Sequence, residues 1–533
     1  MTGMTLHGQQ LIGNETSARG AASIHARDPA GGTTLEPAFH EATSVEIDQA
    51  MEKAAGAFDA FRQRSPAERA GLLTAIAEEI EALGDDLLER AGAETGLPSQ
   101  RLTGERTRTV NQARLFAGMI GEGTWCDARI DRGNPERTPA PKPDVRRMMM
   151  PIGPVVVFGA SNFPLAISVA GTDTISALGA GCPVVVKAHP GHPGTSEMVA
   201  RAILRAAERC GMPDGVFSLV HGASNAVGAG LVQHRRTCAV GFTGSLKGGR
   251  ALYDLAVSRA DPIPVYAEMG STNPVFVLPG ALAERGESIA ESYVQSVTLG
   301  TGQFCTNPGV LLGLRGDALS GFTQSVARVA EGTSPTTMLH AGIRSAFEAG
   351  LQRIERVQGV TPVGRSGTEA DPDRTEAGVR VYSTDADTFR ANPGLAEEVF
   401  GPSSIIVDCE SPEDMQAMAE DLEGHLTATV HGTEADLQTY APLLRTLERK
   451  VGRLIFNGFP TGIEVCAAMQ HGGPYPATTD SHFTSIGTAA IYRFVRPVAY
   501  QGFPQGALPA QLKDRNEMGI WRLVDNEWTR DDC

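Results

Sequence analysis

The sequence lacks several features that mark particular classes of protein. It has no run of about 18 uncharged apolar residues, the length a helix needs to cross a membrane. Its first residues, MTGMTLHGQQLIGNE, have neither the charged start nor the apolar stretch of a signal peptide. Basic residues are not in excess, because 46 Lys and Arg stand against 62 Asp and Glu, a formal net charge of −16. We therefore expect a cytoplasmic protein that acts on a small molecule, with neither nucleic acid nor a membrane as partner.

Cysteine is also scarce, and no tandem repeat or low-complexity tract occurs. Since no two cysteines form a Cys-x-x-Cys pair, neither a zinc site nor a disulfide framework is indicated, and we predict no metal. We expect most of the thiols to be reduced and buried. The eight residues are Cys126, Cys182, Cys210, Cys238, Cys305, Cys409, Cys466 and Cys533.

The residues that are present indicate a large globular protein. At 533 residues, 41% hydrophobic and 20% charged, the chain is too long for one hydrophobic core, so we expect at least two lobes. The first hundred residues are helical in character. TSVE (43–46) and SPAE (65–68) both match the capping box, and Pro66 occupies the favoured first position of a helix. We predict two amphipathic helices from these starts.

From Met148 the pattern changes to alternating apolar strands and helices. MMMPIGPVVVFGA is predicted as one strand, TISALGAG as a buried helix and CPVVVKAHP as a second strand. This alternation predicts a parallel, doubly wound nucleotide-binding lobe, and a second α/β lobe starts near Glu268. Residues 131–147 are interpreted as an extended connector or hairpin, and residues 364–378 as a surface loop.

Two features of the first lobe could bind a cofactor. In GFTGSLKGGRALYDLA, Gly244, Ser245 and Gly249 lie at a turn from a strand into a helix, where backbone amides can receive phosphates. The spacing is not GxGxxG, and a glycine-rich turn is often only a turn. Lys187 ends the strand PVVVK, at the edge where open α/β sheets bind ligands. Taken alone, it could equally be a solvated strand end.

Three residues could carry covalent chemistry. Cys305 lies in GTGQFCTNPG, whose glycines and proline indicate a tight loop in which a thiol can be nucleophilic, although loop cysteines are often unreactive. Asn162, in SNFP, could stabilise an oxyanion, and Glu268, in YAEMG, could act as a general base. Singly, Asn162 is better explained as a turn or cap residue and Glu268 as a solvated acid. Together the three form an ordered set.

The order of these motifs resembles the NAD(P)-dependent aldehyde dehydrogenase superfamily over roughly residues 5–500. The resemblance implies an α/β fold with a Rossmann-like cofactor domain, a catalytic domain and a small β oligomerisation element. The residues within these motifs are most similar to those of the branch that contains 2-oxoglutarate semialdehyde dehydrogenases and bacterial fatty aldehyde dehydrogenases. The motifs that carry it are NFP, the lysine after an apolar strand, FTGS, EMG, GQFC, EEVFGP (397–402) and NGFPTG (457–462).

The resemblance implies a role for each candidate residue. Cys305 would attack the aldehyde, while the Asn162 amide and the Cys305 backbone N–H hold the oxyanion. Glu268 would deprotonate the water that hydrolyses the thioester. Glu398 would bind the nicotinamide ribose with Phe400 packed beside it, and Lys187, Gly244, Ser245 and Gly249 would bind the rest of the dinucleotide.

The resemblance also implies the domains and a homodimer or homotetramer. The cofactor domain would comprise 1–126 and 151–266, and the catalytic domain 267–485. Residues 127–150 and 486–502 would join subunits. A tail, 503–533, would follow with Trp521 and Trp528 as anchors.

Four departures from the family pattern bear on the substrate and the cofactor. Ala160 and Ser161 replace a common Pro-Trp pair in the entry tunnel. Pro190 stands where NAD-selective members often have a glutamate, so a 2′-phosphate would meet no carboxylate, but Asn225 supplies no basic partner for it. We expect NAD and NADP to be accepted, with NADP slightly favoured. His471 replaces an aromatic residue, and we interpret it as a structural histidine with its hydrogen bonds made, a pocket or proton-handling role being the alternative.

These inferences predict NAD(P)-dependent oxidation of an aldehyde to an acid, with 2-oxoglutarate semialdehyde as the expected substrate. A fatty aldehyde is the alternative, since no arginine is placed in the pocket by the sequence. Glu268 argues against a CoA-acylating dehydrogenase, because a general base is needed to activate water and is needed less to activate the thiol of CoA. A catalytically silent binding protein would have lost the thiol, the amide or the carboxylate, and all three are present.

Overall fold

Strands and helices alternate through most of the chain, as the sequence predicts. The computed structural model describes residues 5–533, so the first four residues of the N-terminal segment and of the range 1–126 lie outside the described part. The strands are β1 (Gln10–Ile12), β2 (Glu15–Ser17), β3 (Ser23–Arg27), β4 (Thr34–His40), β5 (Arg129–Asp131), β6 (Val145–Pro151), β7 (Val155–Phe158), β8 (Val184–Lys187), β9 (Phe217–Val220), β10 (Ala239–Thr243), β11 (Val265–Glu268), β12 (Val275–Val277), β13 (Val310–Leu314), β14 (Thr336–Thr337), β15 (Thr361–Arg365), β16 (Glu376–Ala377), β17 (Arg380–Asp385), β18 (Ser403–Cys409), β19 (His425–His431), β20 (Val451–Phe456), β21 (Val495–Gln501), β22 (Arg522–Val524) and β23 (Glu527–Thr529). The helices are α1 (Ser44–Arg62), α2 (Pro66–Ala82), α3 (Gly84–Thr95), α4 (Ser99–Glu122), α5 (Thr172–Ala180), α6 (Pro193–Arg209), α7 (Asn225–Gln233), α8 (Leu246–Val257), α9 (Pro279–Thr298), α10 (Asp317–Glu331), α11 (Ala341–Glu355), α12 (Ala386–Ala391), α13 (Pro412–Asp421), α14 (Glu434–Thr439) and α15 (Ala441–Leu447).

Both predicted capping boxes start helices. The Thr43 hydroxyl accepts from the Glu46 N–H at 3.3 Å and the Glu46 carboxylate accepts from the Thr43 N–H at 2.8 Å, and Ser65 and Glu68 repeat the pattern at the start of α2. The prediction of a helical N-terminal region is wrong before residue 43, where β1 to β4 lie. These strands are three to seven residues long, too short to show a clear period.

The first sheet has the order β11-β10-β7-β8-β9-β1-β2, and its first five strands are parallel. Alternate side chains of β7 enter different cores: Val155 and Val157 pack with α2, α4 and α6, whereas Val156 and Phe158 pack with α1 and α7. Helices therefore cover both faces, which explains why these strands are apolar throughout. The carboxyl ends of the parallel strands place Lys187 and Glu268 along one edge.

The apolar run MMMPIGPVVVFGA is not one strand, as we predicted, but two. β6 and β7 lie in different sheets, separated by a turn at Gly153. Gly153 has φ +124°, and a Cβ there would lie 2.5 Å from the Cys238 sulfur, so only glycine fits this turn. Apolarity predicted burial correctly but could not show the change of sheet.

The second sheet has the order β15-β17-β18-β13-β12-β19-β20, parallel except for β15. Its two faces also enter separate cores, with Phe276 on one side and Val275 and Val277 on the other. The predicted strands NPVFVLP, GVLLGLRG and SSIIVD are confirmed as β12, β13 and β18. The loop that carries Cys305 runs from α9 into β13, where it meets the edge of the first sheet.

A third sheet has the order β21-β6-β5-β22-β23. The connector at 131–147 is a hairpin, with a bridge between Asn134 and Lys142, and most of 364–378 is an exposed loop around β16. Trp521 and Trp528 are half-buried, with 44% and 54% of their surfaces exposed, and their role as anchors of the tail stays a prediction. The buried Arg522 donates to backbone carbonyls within the tail itself, and the pairing of β22 with β5 attaches the tail to the third sheet. Across residues 5–533, no helix is both long and apolar enough to cross a bilayer.

Candidate active site

Cys305 is presented by a backbone that only glycine permits at two points. Gly300, Thr301 and Gly302 all have positive φ, between 57° and 66°. A Cβ on Gly302 would lie 2.3 Å from the carbonyl of Gly401, so this position cannot carry a side chain. The loop thus turns sharply out of α9 and brings Cys305 to the junction of the two large sheets, partly exposed.

The loop is fixed by a buried amide. Asn273 donates through Nδ2 to the carbonyls of Cys305 and Asn307, both at 2.9 Å. Asn307 in turn donates to the Gly401 carbonyl at 3.2 Å. Since Asn273 follows Glu268 by five residues, this amide ties the cysteine loop to the segment that carries the carboxylate.

His471 joins the thiol to the carboxylate. Its Nε2 lies 3.5 Å from the Cys305 sulfur and 2.9 Å from Glu268 Oε1. Ser485 donates to the other carboxylate oxygen, Oε2. The His471 backbone N–H is held by Thr484 Oγ1 at 2.8 Å, and its ring is fully buried. A thiol, a carboxylate and an imidazole therefore share one cluster.

Burial and charge set the resting protonation of this cluster. Burial raises the pKa of the Cys305 thiol well above its usual range, and the Glu268 carboxylate raises it further. Burial would also raise the pKa of Glu268, but the attraction of His471 and the hydrogen bonds of His471, Ser485 and Cys305 outweigh it and lower that pKa. The resting site therefore holds a neutral thiol beside an ionised carboxylate.

Asn162 lies beside the cysteine loop. Its side-chain amide is buried and donates from Nδ2 to the Gln303 carbonyl at 2.8 Å, two residues before Cys305. An amide nitrogen carries two N–H groups, so one donor is left for an oxyanion. The structure thus brings together Cys305, Glu268 and Asn162, which are separated by up to 143 positions in the sequence.

The expectation that His471 is a structural histidine with its hydrogen bonds made is not what the structure shows. Its Nε2 contacts both the Cys305 thiol and the Glu268 carboxylate, and its buried Nδ1 has no partner among residues 5–533. The sequence could not reveal this, because His471 is 166 positions from Cys305 and 203 from Glu268. The one available signal was a histidine at a position where the family commonly has an aromatic residue.

The predicted cofactor residues lie along the edge of the first sheet. Lys187 ends β8, where burial lowers its pKa to about 8. Ser245 caps α8 by accepting from the Gly248 N–H at 3.2 Å. Gly244 and Gly249 permit close packing, since a Cβ would lie 2.6 Å from Phe242 and Met269 respectively. Gly249 thus lets the start of α8 pack closely against Met269, just after β11.

Glu398 and Phe400 line a cleft that also contains Phe304, the residue before Cys305. Burial raises the pKa of Glu398 to about 7. Gly270 makes room for it, because a Cβ there would lie 2.6 Å from Glu398 Oε2. The charge of Glu398 also raises the pKa of the Cys305 thiol, so the carboxylate expected to bind the ribose lies close to that thiol.

Arg108, on α4, is a site residue that the sequence did not suggest. Its guanidinium lies 5.4 Å from the centre of the Phe163 ring, next to Asn162. Burial lowers its pKa, and the nearby negative charges of Glu105 and Glu268 oppose that shift. Its buried Nε and Nη2 have no hydrogen-bond partner in the described chain. A cation in such a position favours an anionic ligand.

Glu41 is a second residue that the sequence did not suggest. Its Oε2 accepts from the backbone N–H groups of Ala223 and Ser224, at 3.0 and 3.1 Å, before the first turn of α7. Its charge also acts on Lys187. A carboxylate therefore stands near Lys187 although Pro190 supplies none.

Comparison with known families agrees with the motif order. A profile of the Aldehyde dehydrogenase family matches residues 16–475. The chain belongs to this family. The resemblance inferred from the motifs is thereby confirmed, and the protein is an NAD(P)-dependent oxidoreductase that acts on aldehydes.

Two relatives align with this aldehyde dehydrogenase over nearly its whole length. Alpha-ketoglutaric semialdehyde dehydrogenase 2 of Azospirillum brasilense is 50% identical over 98% of this chain and 100% of its own. The alpha-ketoglutaric semialdehyde dehydrogenase of Acinetobacter baylyi is 44% identical over 98% and 99%. Both alignments extend over the catalytic lobe and the cofactor lobe.

Solved structures share the fold of this aldehyde dehydrogenase. Betaine aldehyde dehydrogenase from Staphylococcus aureus in complex with NAD⁺ superposes with a TM-score of 0.80 at 20% identity, covering 94% of this chain and 96% of the other. A 1-pyrroline-5-carboxylate dehydrogenase mutant from Thermus thermophilus gives 0.78 at 21% identity, covering 93% and 92%. The α/β fold predicted from the sequence is confirmed.

Proposed function

We propose that the protein oxidises 2-oxoglutarate semialdehyde to 2-oxoglutarate with NAD or NADP. The observation that carries the chemistry is the contact of one histidine with both the Cys305 thiol and the Glu268 carboxylate. The two relatives that align over nearly the whole chain are named alpha-ketoglutaric semialdehyde dehydrogenases, which supports this choice of substrate.

The first half of the reaction forms a bond to sulfur. The Cys305 thiol loses its proton to solvent, and the thiolate, which lies 3.5 Å from the His471 Nε2–H that also donates to Glu268, attacks the aldehyde carbon. The carbonyl oxygen becomes an oxyanion held by the free N–H of Asn162. A bound dinucleotide supplies the acceptor for the hydride that this carbon then loses. The carbon, two electrons more oxidised, remains on Cys305 as a thioester.

The second half releases the acid. Glu268 Oε1 takes a proton from water, and the hydroxide adds to the thioester carbon. The carbon–sulfur bond breaks, the acid leaves and Cys305 is regenerated. Ser485, on Oε2, leaves Oε1 directed at the site. Because Glu268 is placed to deprotonate water, this geometry favours hydrolysis of the thioester over transfer of the acyl group to the thiol of CoA.

The residues at the sheet edge fit a dinucleotide. Lys187 supplies a cation at the end of β8, and the N-terminus of α8 behind Gly244 and Ser245 suits a phosphate. Glu398 offers acceptors for ribose hydroxyls, with Phe400 beside it in the same cleft. These residues support the proposed cofactor site.

Arg108 supports a substrate with a carboxylate. The apolar chain of a fatty aldehyde would leave its two unpartnered guanidinium nitrogens buried and unsatisfied, which is costly. A 2-oxo acid offers them a bidentate partner. The phenylalanines Phe163 and Phe304, in edge-to-face contact at 5.4 Å, then form the wall along the substrate rather than a tunnel for a long chain.

Replacing Arg108 should change substrate choice more than catalysis. We expect Arg108→Met to lower kcat/KM for 2-oxoglutarate semialdehyde by about 10- to 150-fold, since a hydrogen bond to a charged group is worth about 1.5–3 kcal/mol. Pentanal, which has no carboxylate, should change by less than about threefold on that scale. Steady-state NAD(P)H formation with both aldehydes measures the effect. Arg114→Met, on the same helix but paired with Glu81 at the surface, is the control. Equal losses for both aldehydes would contradict the assignment.

A substrate panel tests the proposed function as a whole. Without CoA, the wild-type enzyme should form acid and NAD(P)H in equal amounts, with the highest kcat/KM for 2-oxoglutarate semialdehyde. A higher value for a long-chain aldehyde would favour the fatty aldehyde alternative, and acid formation only with CoA would favour an acylating enzyme.

Glu41 should influence the choice between NAD and NADP. A 2′-phosphate near Lys187 would meet this carboxylate, which also occupies the amides at the start of α7. We propose that both cofactors are accepted. The Glu41 carboxylate would disfavour the 2′-phosphate of NADP, whereas Pro190, which has no carboxylate, would tolerate it. Glu41→Gln should raise kcat/KM for NADP relative to NAD by about two- to fivefold, the effect of about 0.5–1 kcal/mol at a partly exposed site. Glu36→Gln, at an exposed position nearby, should leave the ratio unchanged, and an equal change there would contradict the role of Glu41.

We also propose the domain division and assembly expected from the family. β11 pairs with β10, so the cofactor domain extends to Glu268, slightly beyond 151–266. β21, an edge strand, and β20, an edge strand with exposed Leu454 and Phe456, suit the joining of subunits into a homodimer or homotetramer. The cytoplasmic location stays a prediction.

A further inference from the structure

The active-site cluster contains the donor set of a metal site. Cys305 offers a sulfur, His471 a ring nitrogen and Glu268 a carboxylate oxygen, and all three atoms lie within 4.8 Å of one another. We propose that these residues form a reversible inhibitory site for a thiophilic divalent cation such as Zn²⁺. The cation would take no part in the reaction, for which the sequence predicts no metal, and its binding would not depend on which aldehyde the enzyme oxidises.

The spacing of the donors suits tetrahedral zinc. With Zn–S of about 2.3 Å and Zn–N and Zn–O of about 2.0–2.2 Å, neighbouring donors in a tetrahedron lie about 3.3–3.6 Å apart. The Cys305 sulfur and His471 Nε2 are 3.5 Å apart, which matches. The 2.9 Å from Nε2 to Glu268 Oε1 is a hydrogen bond that must open by about half an ångström once the cation replaces the proton. Water or substrate would complete the fourth position.

The ligands are held in place by other contacts. Ser485 binds Glu268 Oε2 and leaves Oε1 for the cation. Thr484 fixes the His471 backbone, and Asn273 fixes the Cys305 carbonyl. Such outer contacts orient ligands and raise metal affinity. Mixed sulfur, nitrogen and oxygen donors favour Zn²⁺ over Mg²⁺ or Ca²⁺, which take oxygen ligands.

Binding would block both half-reactions at once. The cation displaces the thiol proton to solvent and forms bonds to sulfur, nitrogen and oxygen, with no oxidation of the thiol. The nucleophile and the base are then both occupied. A chelator restores the enzyme because every bond made is a coordinate bond.

A second group of potential ligands provides the control. Asp48, Glu52 and His234 also approach one another, at the surface. Glu52 is already bound by Arg235 and Arg236, so this group is less available to a cation.

The test is metal binding to the enzyme without cofactor or substrate. Calorimetry with ZnCl₂ should give one Zn²⁺ per subunit, and CoCl₂ should give a thiolate-to-cobalt absorption band in the near ultraviolet. Loss of a residue that only orients a metal ligand weakens metal binding by about 10- to 100-fold. His471→Gln removes a ligand itself, so it should weaken Zn²⁺ binding by more than that. Cys305→Ser should abolish the cobalt band. His234→Gln should bind as the wild type does.

Three results would overturn the proposal: no Zn²⁺ binding by the wild type, unchanged binding by Cys305→Ser, or loss of binding in His234→Gln instead of His471→Gln. The cobalt band of the unmodified enzyme keeps the test decisive if a variant folds poorly, which its Tm would reveal. Failure would leave the proposed dehydrogenase activity untouched, because that activity is measured without added metal.

Discussion

Cys305→Ser should lower kcat by at least about 10³-fold, the scale on which loss of a nucleophile acts. A serine hydroxyl keeps the shape of the site, but it is far less acidic than a thiol and forms no thioester. Hydride transfer should fail together with acid release, because the carbon cannot lose hydride until it is bound to the nucleophile. Rapid-mixing absorbance of NAD(P)H measures the first turnover, and calorimetry should show that dinucleotide binding is retained.

Cys210→Ser is the matched control, since Cys210 is also partly exposed but ends α6, away from the site. It should retain wild-type turnover. A Cys305→Ser enzyme within tenfold of the wild type would contradict the proposed nucleophile and would favour a protein in which this loop only binds ligands.

Glu268→Gln should separate the two halves of the reaction. The thiol can still lose its proton to solvent, and His471 Nε2 still lies 3.5 Å from the sulfur, so each subunit should form about one NAD(P)H in a rapid burst. The following steady state should be about 10²–10⁴-fold slower than in the wild type, because glutamine cannot deprotonate water. Rapid mixing followed by steady-state measurement shows both phases.

Hydroxylamine provides the control for this variant. It attacks thioesters without needing a protein base, so it should restore turnover in Glu268→Gln if deacylation is the blocked step. Loss of the burst, with no rescue by hydroxylamine, would mean that Glu268 is needed before hydride transfer instead.

The parts of the fold that the sequence predicts are those that depend on local pattern. Capping boxes fixed the starts of α1 and α2, and near-continuous apolar runs indicated strands covered on both faces. The split of one run into β6 and β7 was missed because it depends on the contact of Gly153 with Cys238, 85 positions away. The three-residue strands near the N-terminus depend on pairing, of β1 with β9 and of β2 with β1, and the contact with β9 is one that no local pattern reports.

The candidate site shows the same limit. Cys305, Glu268 and Asn162 belong to motifs and were predicted from them. Arg108 lies on a helix whose charged residues suggest a solvated surface, and only packing against Phe163 reveals its direction. His471 was recognised as unusual, but its link to the thiol and the carboxylate required three segments to meet in space.

The central claim is that the substrate becomes covalently bound to Cys305 and is released by water. Mass spectrometry of Glu268→Gln, quenched in acid after the burst with 2-oxoglutarate semialdehyde and NAD⁺, tests this most directly. We predict one acyl group per subunit, located on the peptide that contains Cys305 and removed by hydroxylamine. An acyl group on another residue, or a full burst of NADH with an unmodified protein, would contradict the account.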